Sequence, residues 1–384
     1  VLEARQRIGG RIWSEQRQGY AIDLGASWLH GIANNPLHQL LTQELGVPIV
    51  PTNDQSQVTI GPDGDQWSSL RSEQADAWLR AFVNKAEETG RATESLVNLL
   101  PPRLTSDQQF TLIADVEHEL GAELNTIAAN APLGDGQELM GSDAMVPGGL
   151  GKLVRHLSQG LDIRLGHVVT HIENQPNTIT VRTASGTEIN AQRLCCTVPL
   201  GVLKQGGIRF EPQLPAAKMQ AINRLGMGVL NKIVLLFSER FWDNTTWIRN
   251  DGPDAGLWPE WVDLTSLIGR PGLMGFIAAN QARKLELQPD RDIITSALGQ
   301  LRRCYPERVI PDPSEVLLTR WGKDPFSLGS YSYPAVGSTP AMRDELARRW
   351  GCMVFAGEAV STSFPATIQG AYLSGIKAAK ELLT

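Results

Sequence analysis

Apolar positions recur along the chain in two periods, and each marks its own kind of element. Residues 352–356 are an uninterrupted apolar run, which predicts a buried strand; Gly357 and Glu358 break it, and a helix follows from about residue 366. On that helix Gly370, Ala371, Ser374, Gly375 and Ala378 repeat at spacings of three and four, a stripe of small residues that lets a flat group or another backbone come close. Apolar runs at 232–237 and 273–279 predict two more buried strands. Residues 162–172 alternate as a strand, a hairpin turns at Ala184-Ser185-Gly186, and the strand at 193–198 ends on Pro199. Helical spacing covers 36–45, with Asn35-Pro36 opening and Gly46 closing it, then 71–100 as one or two helices up to Pro101-Pro102, 107–129, and the amphipathic 290–305. Residues 51–68 read as a hairpin and loop. Strands and helices in this mixture predict an α/β protein.

Composition narrows the class. The 384 residues are 42% hydrophobic and 20% charged, an ordinary globular balance with length for two domains. No run of 18 apolar residues occurs, so no membrane span or membrane partner is expected. The net charge of −6 argues against nucleic acid and suits a cationic substrate. Cys195 and Cys196 sit together in an apolar strand, and with Cys304 and Cys352 they show no metal spacing; reduced core thiols in a cytoplasmic, reducing compartment are expected. His167 and His171 lie four apart, but in a strand, so no metal site is expected.

Three stretches carry candidate chemistry. The opening Val1-Leu2-Glu3-Ala4-Arg5-Gln6-Arg7-Ile8-Gly9-Gly10-Arg11 begins where a dinucleotide-binding fold ends its second strand on an acid that grips a ribose hydroxyl, about 20 residues after a glycine-rich phosphate loop. Glu3 fits that acid. The loop itself is expected to precede Val1, in roughly 30 further residues of the natural protein; Gly149-Leu150-Gly151 and Gly226-Met227-Gly228 lack the strand and acid it requires. Lys232 opens a strongly apolar strand, a costly place for a charge that is neither used nor paired. His30 follows the small-residue segment Asp23-Leu24-Gly25-Ala26-Ser27-Trp28-Leu29.

These stretches, with Thr197-Val198-Pro199-Leu200-Gly201, Gly329-Ser330-Tyr331-Ser332-Tyr333 and the segment from Phe355 to Gly375, resemble the flavin-dependent amine oxidases in the same order along the whole chain. The polyamine oxidase branch is the nearest. The resemblance implies a two-domain fold: a Rossmann-like FAD domain from 1–55, 140–205 and 322–384, and a substrate domain with a mixed sheet flanked by helices from 56–139 and 206–321. It implies noncovalent FAD, since Ser330 stands where monoamine oxidases carry a flavin-linked cysteine. The cofactor would meet Glu3, Arg5, Gly10, Arg11, Gly25, Ala26, Ser27, Trp28, Val169, Trp261, Trp321, Gly357, Glu358, Thr367 and Ile368. Lys232 would hold a water at flavin N5, and Tyr331, Phe364 and His30 would line the substrate cavity. Glu117, with Glu119 and Glu123 as alternatives, would pair with a distal nitrogen. The implied reaction is oxidation of a polyamine C–N bond by hydride transfer to N5, with O2 giving H2O2 and the imine hydrolysed to an aldehyde. A monoamine or amino-acid oxidase, and a flavin-free binding protein that retains the fold, are the alternatives. The absence of a long coiled-coil insertion argues against a histone demethylase.

Overall fold

The computed structural model describes residues 1–132, 140–254 and 256–383; the expected domain boundary at 139 falls on residues outside these. A six-stranded sheet dominates, in the order Glu315–Leu318, Leu230–Leu236, Gly272–Ala278, Glu260–Asp263, Trp247–Asn250, Gln57–Ile60. All neighbours are antiparallel except the last pair. Nearly every residue of Leu230–Leu236 and all of Gly272–Ala278 are buried, which is why these strands read as continuous apolar runs rather than as alternations.

Strand alternation divides the side chains between two faces. Ile233, Leu235, Ile248, Trp261 and Ile277 pack with Ile293, Ala297, Leu298 and Leu301 of the helix Asp290–Cys304. Val234, Leu236, Val262, Met274 and Phe276 pack on the other face against Ile22, Leu24 and Met145. Lys232 shares the parity of this second group, so its side chain leaves the sheet toward the segment around Leu24.

The remaining sheets are smaller. Leu194–Cys196 pairs in parallel with Met353–Phe355, and the helix Ile368–Leu383 lies on that pair. Leu2 bridges Arg164 in parallel. Among the described residues no strand joins this bridge to the Leu194–Cys196 pair. A four-stranded sheet runs Arg209–Glu211, Val169–Gln175, Thr178–Thr183, Glu188–Ala191. Two lysines close helices: Lys204 donates to the carbonyls of Ile222, Asn223 and Leu225, and buried Lys218 to those of Glu345, Leu346 and Arg348, each at a helix C-terminus where carbonyls lack partners.

Several expected elements differ in extent. The hairpin expected within 51–68 forms through the Ile60–Gln66 bridge, and its first strand also joins the large sheet. The helix expected over 71–100 is Ser69–Thr89, capped by Ser68, with a short 3-10 turn at Leu96–Leu99. The strand expected from 162 begins at Val169 and carries a register shift between Val169 and His171. The helix expected over 107–129 starts on a capping box at Thr105 and Gln108, widens into a π turn at Ile113–Glu117 and stops at left-handed Gly121. That glycine is required, because a Cβ there would lie 3.0 Å from the Val229 nitrogen.

Gly275 tests the packing of the sheet. A Cβ on it would sit 2.6 Å from the Trp261 ring, inside a core where neither side can yield easily. Gly275→Ala is expected to destabilise the protein by about 1–3 kcal/mol, measured by chemical denaturation; an unchanged midpoint would show that the indole can shift.

Candidate active site

The small sheets, the large sheet and the C-terminal helix enclose one cavity of about 1180 Å³. A single small-molecule site commonly occupies roughly 300–1,000 Å³, so this hollow has room for a large cofactor and a substrate together. It has a glycine-lined cradle, a buried lysine midway and acidic side chains on its wall.

The cradle is formed where the chain's two ends meet. Gly357 ends the strand Met353–Phe355 at φ +134°, a conformation only glycine adopts readily, and it exchanges hydrogen bonds with Ser374 of the C-terminal helix. The small-residue stripe explains itself here: Ala371 and Gly375 line the cavity, while Gly370 lies against the Phe364 carbonyl with no space for a Cβ. Buried Glu358 accepts four hydrogen bonds, from Arg11, Ser332 nitrogen, Ser332 hydroxyl and Ala366 nitrogen, which fills its oxygens. Burial raises its pKa, but the charges of Arg11 and Arg343 outweigh that and hold it below the usual range. Arg343 in turn donates to Ser332 and the Ala359 carbonyl.

Lys232 sits at the centre. Its Nζ donates to the Gly25 carbonyl at 2.5 Å, Ser27 Oγ at 2.6 Å and the Asp23 carbonyl at 3.3 Å, with the Trp28 ring 5.7 Å away. Burial lowers its pKa to about 8, against the pull of the Asp23 carboxylate. Asp23 is buried as well and is pushed up to about 6 by desolvation. It accepts from Ser14 Oγ and from the Leu150 nitrogen.

The cavity wall also carries the acids Asp54, Asp115, Glu119, Asp143 and Glu260, with His30 and His118. His30 Nδ1 lies 2.6 Å from Asp143 Oδ2, and Oδ1 accepts from the Gly31 nitrogen. Burial raises the Asp143 pKa, but the hydrogen bond and charge of His30 leave it lowered. Tyr331 donates its hydroxyl to the His118 carbonyl at 2.9 Å, and burial, with Glu119 and Glu260 nearby, holds its pKa well above 10.

The structure brings most of the sequence-predicted residues to this cavity: Glu3, Arg5, Gly10, Arg11, Gly25, Ala26, Ser27, Trp28, His30, Val169, Lys232, Trp321, Tyr331, Gly357, Glu358, Phe364, Thr367 and Ile368 all line it. Arg5 forks onto Asp324 at 2.6 and 2.7 Å, and Glu3 accepts from the Arg5 nitrogen. Gly149 instead abuts Ser14 and Asp23, and Gly226 abuts Tyr333; neither lines the hollow. Two expected residues are displaced by one position. Trp261 points to the opposite face of the sheet, fully buried beside Trp258, and its neighbour Glu260 faces the cavity. Glu117 bends back to accept from the Leu124 nitrogen at 3.0 Å, and its neighbours His118 and Glu119 face the cavity. Asp143, Arg343 and Glu260 carry no distinctive motif in the sequence; only a correct strand phase would have singled out Glu260.

The family model for flavin-containing amine oxidoreductases matches residues 1–383. The chain belongs to that family. A polyamine oxidase 2 from Arabidopsis thaliana is 33% identical over 408 residues, covering 99% of this chain and 82% of the relative. A lysine-specific histone demethylase 1 homolog 3 from Oryza sativa subsp. indica is 34% identical over 418 residues, covering all of this chain. The chain spans about half the length of that demethylase homologue. Its alignment is only slightly longer than the chain (418 positions against 384 residues), so the lack of a long insertion does not separate this amine oxidoreductase from demethylase homologues, contrary to expectation. A putrescine oxidase bound to putrescine has the same fold, with TM-score 0.81 at 18% identity over 100% of this chain and 93% of that one.

The cofactor is FAD, held without a covalent bond. The cradle fits it. Gly10, Gly357 and Gly375 present backbone to the cavity with nothing within 4 Å of an added Cβ, so side chains there would project into the space a flat ring system needs. Ser330 precedes Tyr331, and its hydroxyl is engaged with Leu230.

Asp23 gives a pH test. Its raised pKa means the folded state holds a proton more tightly between about pH 4 and 6. Stability from this group is therefore present below the unfolded value and lost as pH rises through 6. Asp23→Asn is expected to gain stability relative to wild type as pH rises from 4 to 7, followed by thermal melts; a constant offset across that range would contradict the sign.

Proposed function

We propose that the chain oxidises a polyamine, such as spermine or spermidine, at a carbon next to nitrogen. The observation that carries this reading is the convergence of Lys232, Tyr331 and several wall carboxylates on the cavity that fits FAD. Bound FAD would accept a hydride at N5 and pass the electrons to O2, giving H2O2 and an imine that water converts to an aldehyde, chemistry no side chain supplies.

The chain's own residues would prepare the amine. The wall acids attract a cation into the cavity. Tyr331 and Phe364 face the hollow as aromatic walls, attracting an ammonium by roughly 0.5–2 kcal/mol and excluding water. Only the neutral amine yields its hydride readily, so a proton must leave, and His30, held by Asp143, is placed at the wall to take it. Lys232 is held by the Gly25 carbonyl and Ser27 Oγ, and exchanging its long 3.3 Å bond to the Asp23 carbonyl for a water would place that water beside N5.

The identity to demethylase homologues favours one other substrate for the same chemistry, a methylated lysine in a peptide. Peroxide release from spermine, spermidine, acetylated polyamines, simple monoamines and a dimethyl-lysine peptide decides between them. Polyamines are expected to give the highest kcat/KM; turnover of the peptide or the monoamines alone would overturn the polyamine reading. Lys232→Met is expected to slow flavin reduction or reoxidation about a hundredfold in stopped-flow absorbance, and unchanged turnover would remove Lys232 from the mechanism.

A further inference from the structure

The strand that carries Lys232 into the cavity carries a buried amide on its other face. Asn231 shares the parity of Ile233 and Leu235, away from the face Lys232 uses. Its Oδ1 accepts from the Trp321 nitrogen at 2.7 Å and from Thr319 Oγ1 at 3.3 Å, and its Nδ2 donates to Glu286 Oε2 at 3.1 Å. Glu286, buried at the end of the helix Ala279–Leu285, accepts on the same oxygen from the Gly322 nitrogen at 3.1 Å. A buried carboxylate and a buried amide are costly unless their hydrogen bonds are made. Here those bonds converge on two successive backbone nitrogens, Trp321 and Gly322. A Cβ on Gly322 would strike Glu286 Oε1, so the turn fits its carboxylate closely.

That turn reaches the cavity through one side chain. Trp321 is buried, lines the cavity and donates its indole nitrogen to the Leu24 carbonyl at 3.2 Å. Lys232 Nζ takes the carbonyls on either side, Asp23 and Gly25. Three successive carbonyls are thus held by two side chains, and Thr319 ties the backbone of one to the anchor of the other: its Oγ1 accepts from the Lys232 nitrogen at 2.7 Å. The same segment is held from behind, where the Leu24 and Gly25 nitrogens donate to the Trp13 carbonyl and the Ala26 nitrogen to that of Arg11. The Trp13 ring meets Trp321 edge to face, with centroids 6.2 Å apart.

We propose that Asn231 and Glu286 are positioning residues that act on the cofactor through Trp321, fixing the ring it presents to the space that fits FAD. Neither residue lines the cavity. Without their bonds the Trp321–Gly322 turn would come free of the sheet, and the indole with it, while Lys232 would keep its own acceptors. The inference concerns the cofactor end of the cavity and holds whichever amine is oxidised.

The test is the visible circular dichroism of flavin in the FAD-loaded chain, with FAD affinity as a second readout. The flavin ring is flat, so its visible bands gain dichroism from the groups packed on it, and Trp321→Phe supplies the reference change. Glu286→Leu is expected to reproduce that change and to weaken FAD binding about 3–10-fold, the loss of one hydrogen bond. Glu286→Gln, which keeps an oxygen for both donors, is expected to retain the wild-type spectrum. The double variant Trp321→Phe, Glu286→Leu is expected to match the single variants, because both act on one ring. Should Glu286→Leu fail to fold, Asn231→Asp, which keeps the shape and Oδ1 but loses the Nδ2 donor, is expected to show the same change. A Glu286→Leu or Asn231→Asp protein that melts earlier yet keeps the wild-type flavin dichroism overturns the proposal and leaves the pair a purely stabilising role. Additive changes in the double variant overturn it as well.

Discussion

The molecule depends on a buried amine joining two layers. Lys232 leaves a buried strand of the large sheet and its Nζ meets three acceptors at 23–27, where the ribbon Ser14–Arg17 and Tyr20–Asp23 ends. Removing a cation from water costs several kcal/mol, and three oxygen acceptors offset part of that cost. The result ties the large sheet to the 23–27 segment, and both line the cavity. The Asp23 carboxylate nearby tempers the loss of basicity, so the amine stays near the point where it can exist in either protonation state.

A second buried node works at the other end. Glu358 collects Arg11 from near the N-terminus, Ser332 from the segment bearing Tyr331, and Ala366 from the approach to the last helix. Three distant stretches are thereby fixed to one carboxylate. Its saturation means that Glu358 shapes the cradle from behind, and the bare backbone of Gly357, Gly10 and Gly375 is what remains facing inward. The amine-oxidising reading gains from this division: rigid hydrogen-bonded supports at the cofactor end, charged and less completely satisfied groups at the substrate end.

Much of this was readable in the residues, for a physical reason. Glycines that must bare their backbone, a lysine inside an apolar run and a small-residue helical stripe are each costly or unusual, so they stand out without coordinates. Trp261 and Glu117 show where reading fails. Each lies one residue from a side chain that does face the cavity, because strand alternation sends Trp261 to the far face and the π turn re-phases the helix before Glu117. Phase depends on the partner strands and on a local backbone widening, and neither leaves a mark in composition. Asp143 and Arg343 were missed for a different reason: their importance comes from partners more than ten residues away in the chain.

The π turn at Ile113–Glu117 has an evolutionary consequence. It holds one residue more than a regular turn, so the chain can lose or regain that residue there without lengthening the helix Ser106–Leu112 or moving the stop at Gly121. Each such change rotates one part of the helix by about 100° against the other. A one-residue insertion or deletion at this turn therefore changes which side chains the helix turns toward the cavity, His118 and Glu119 among them.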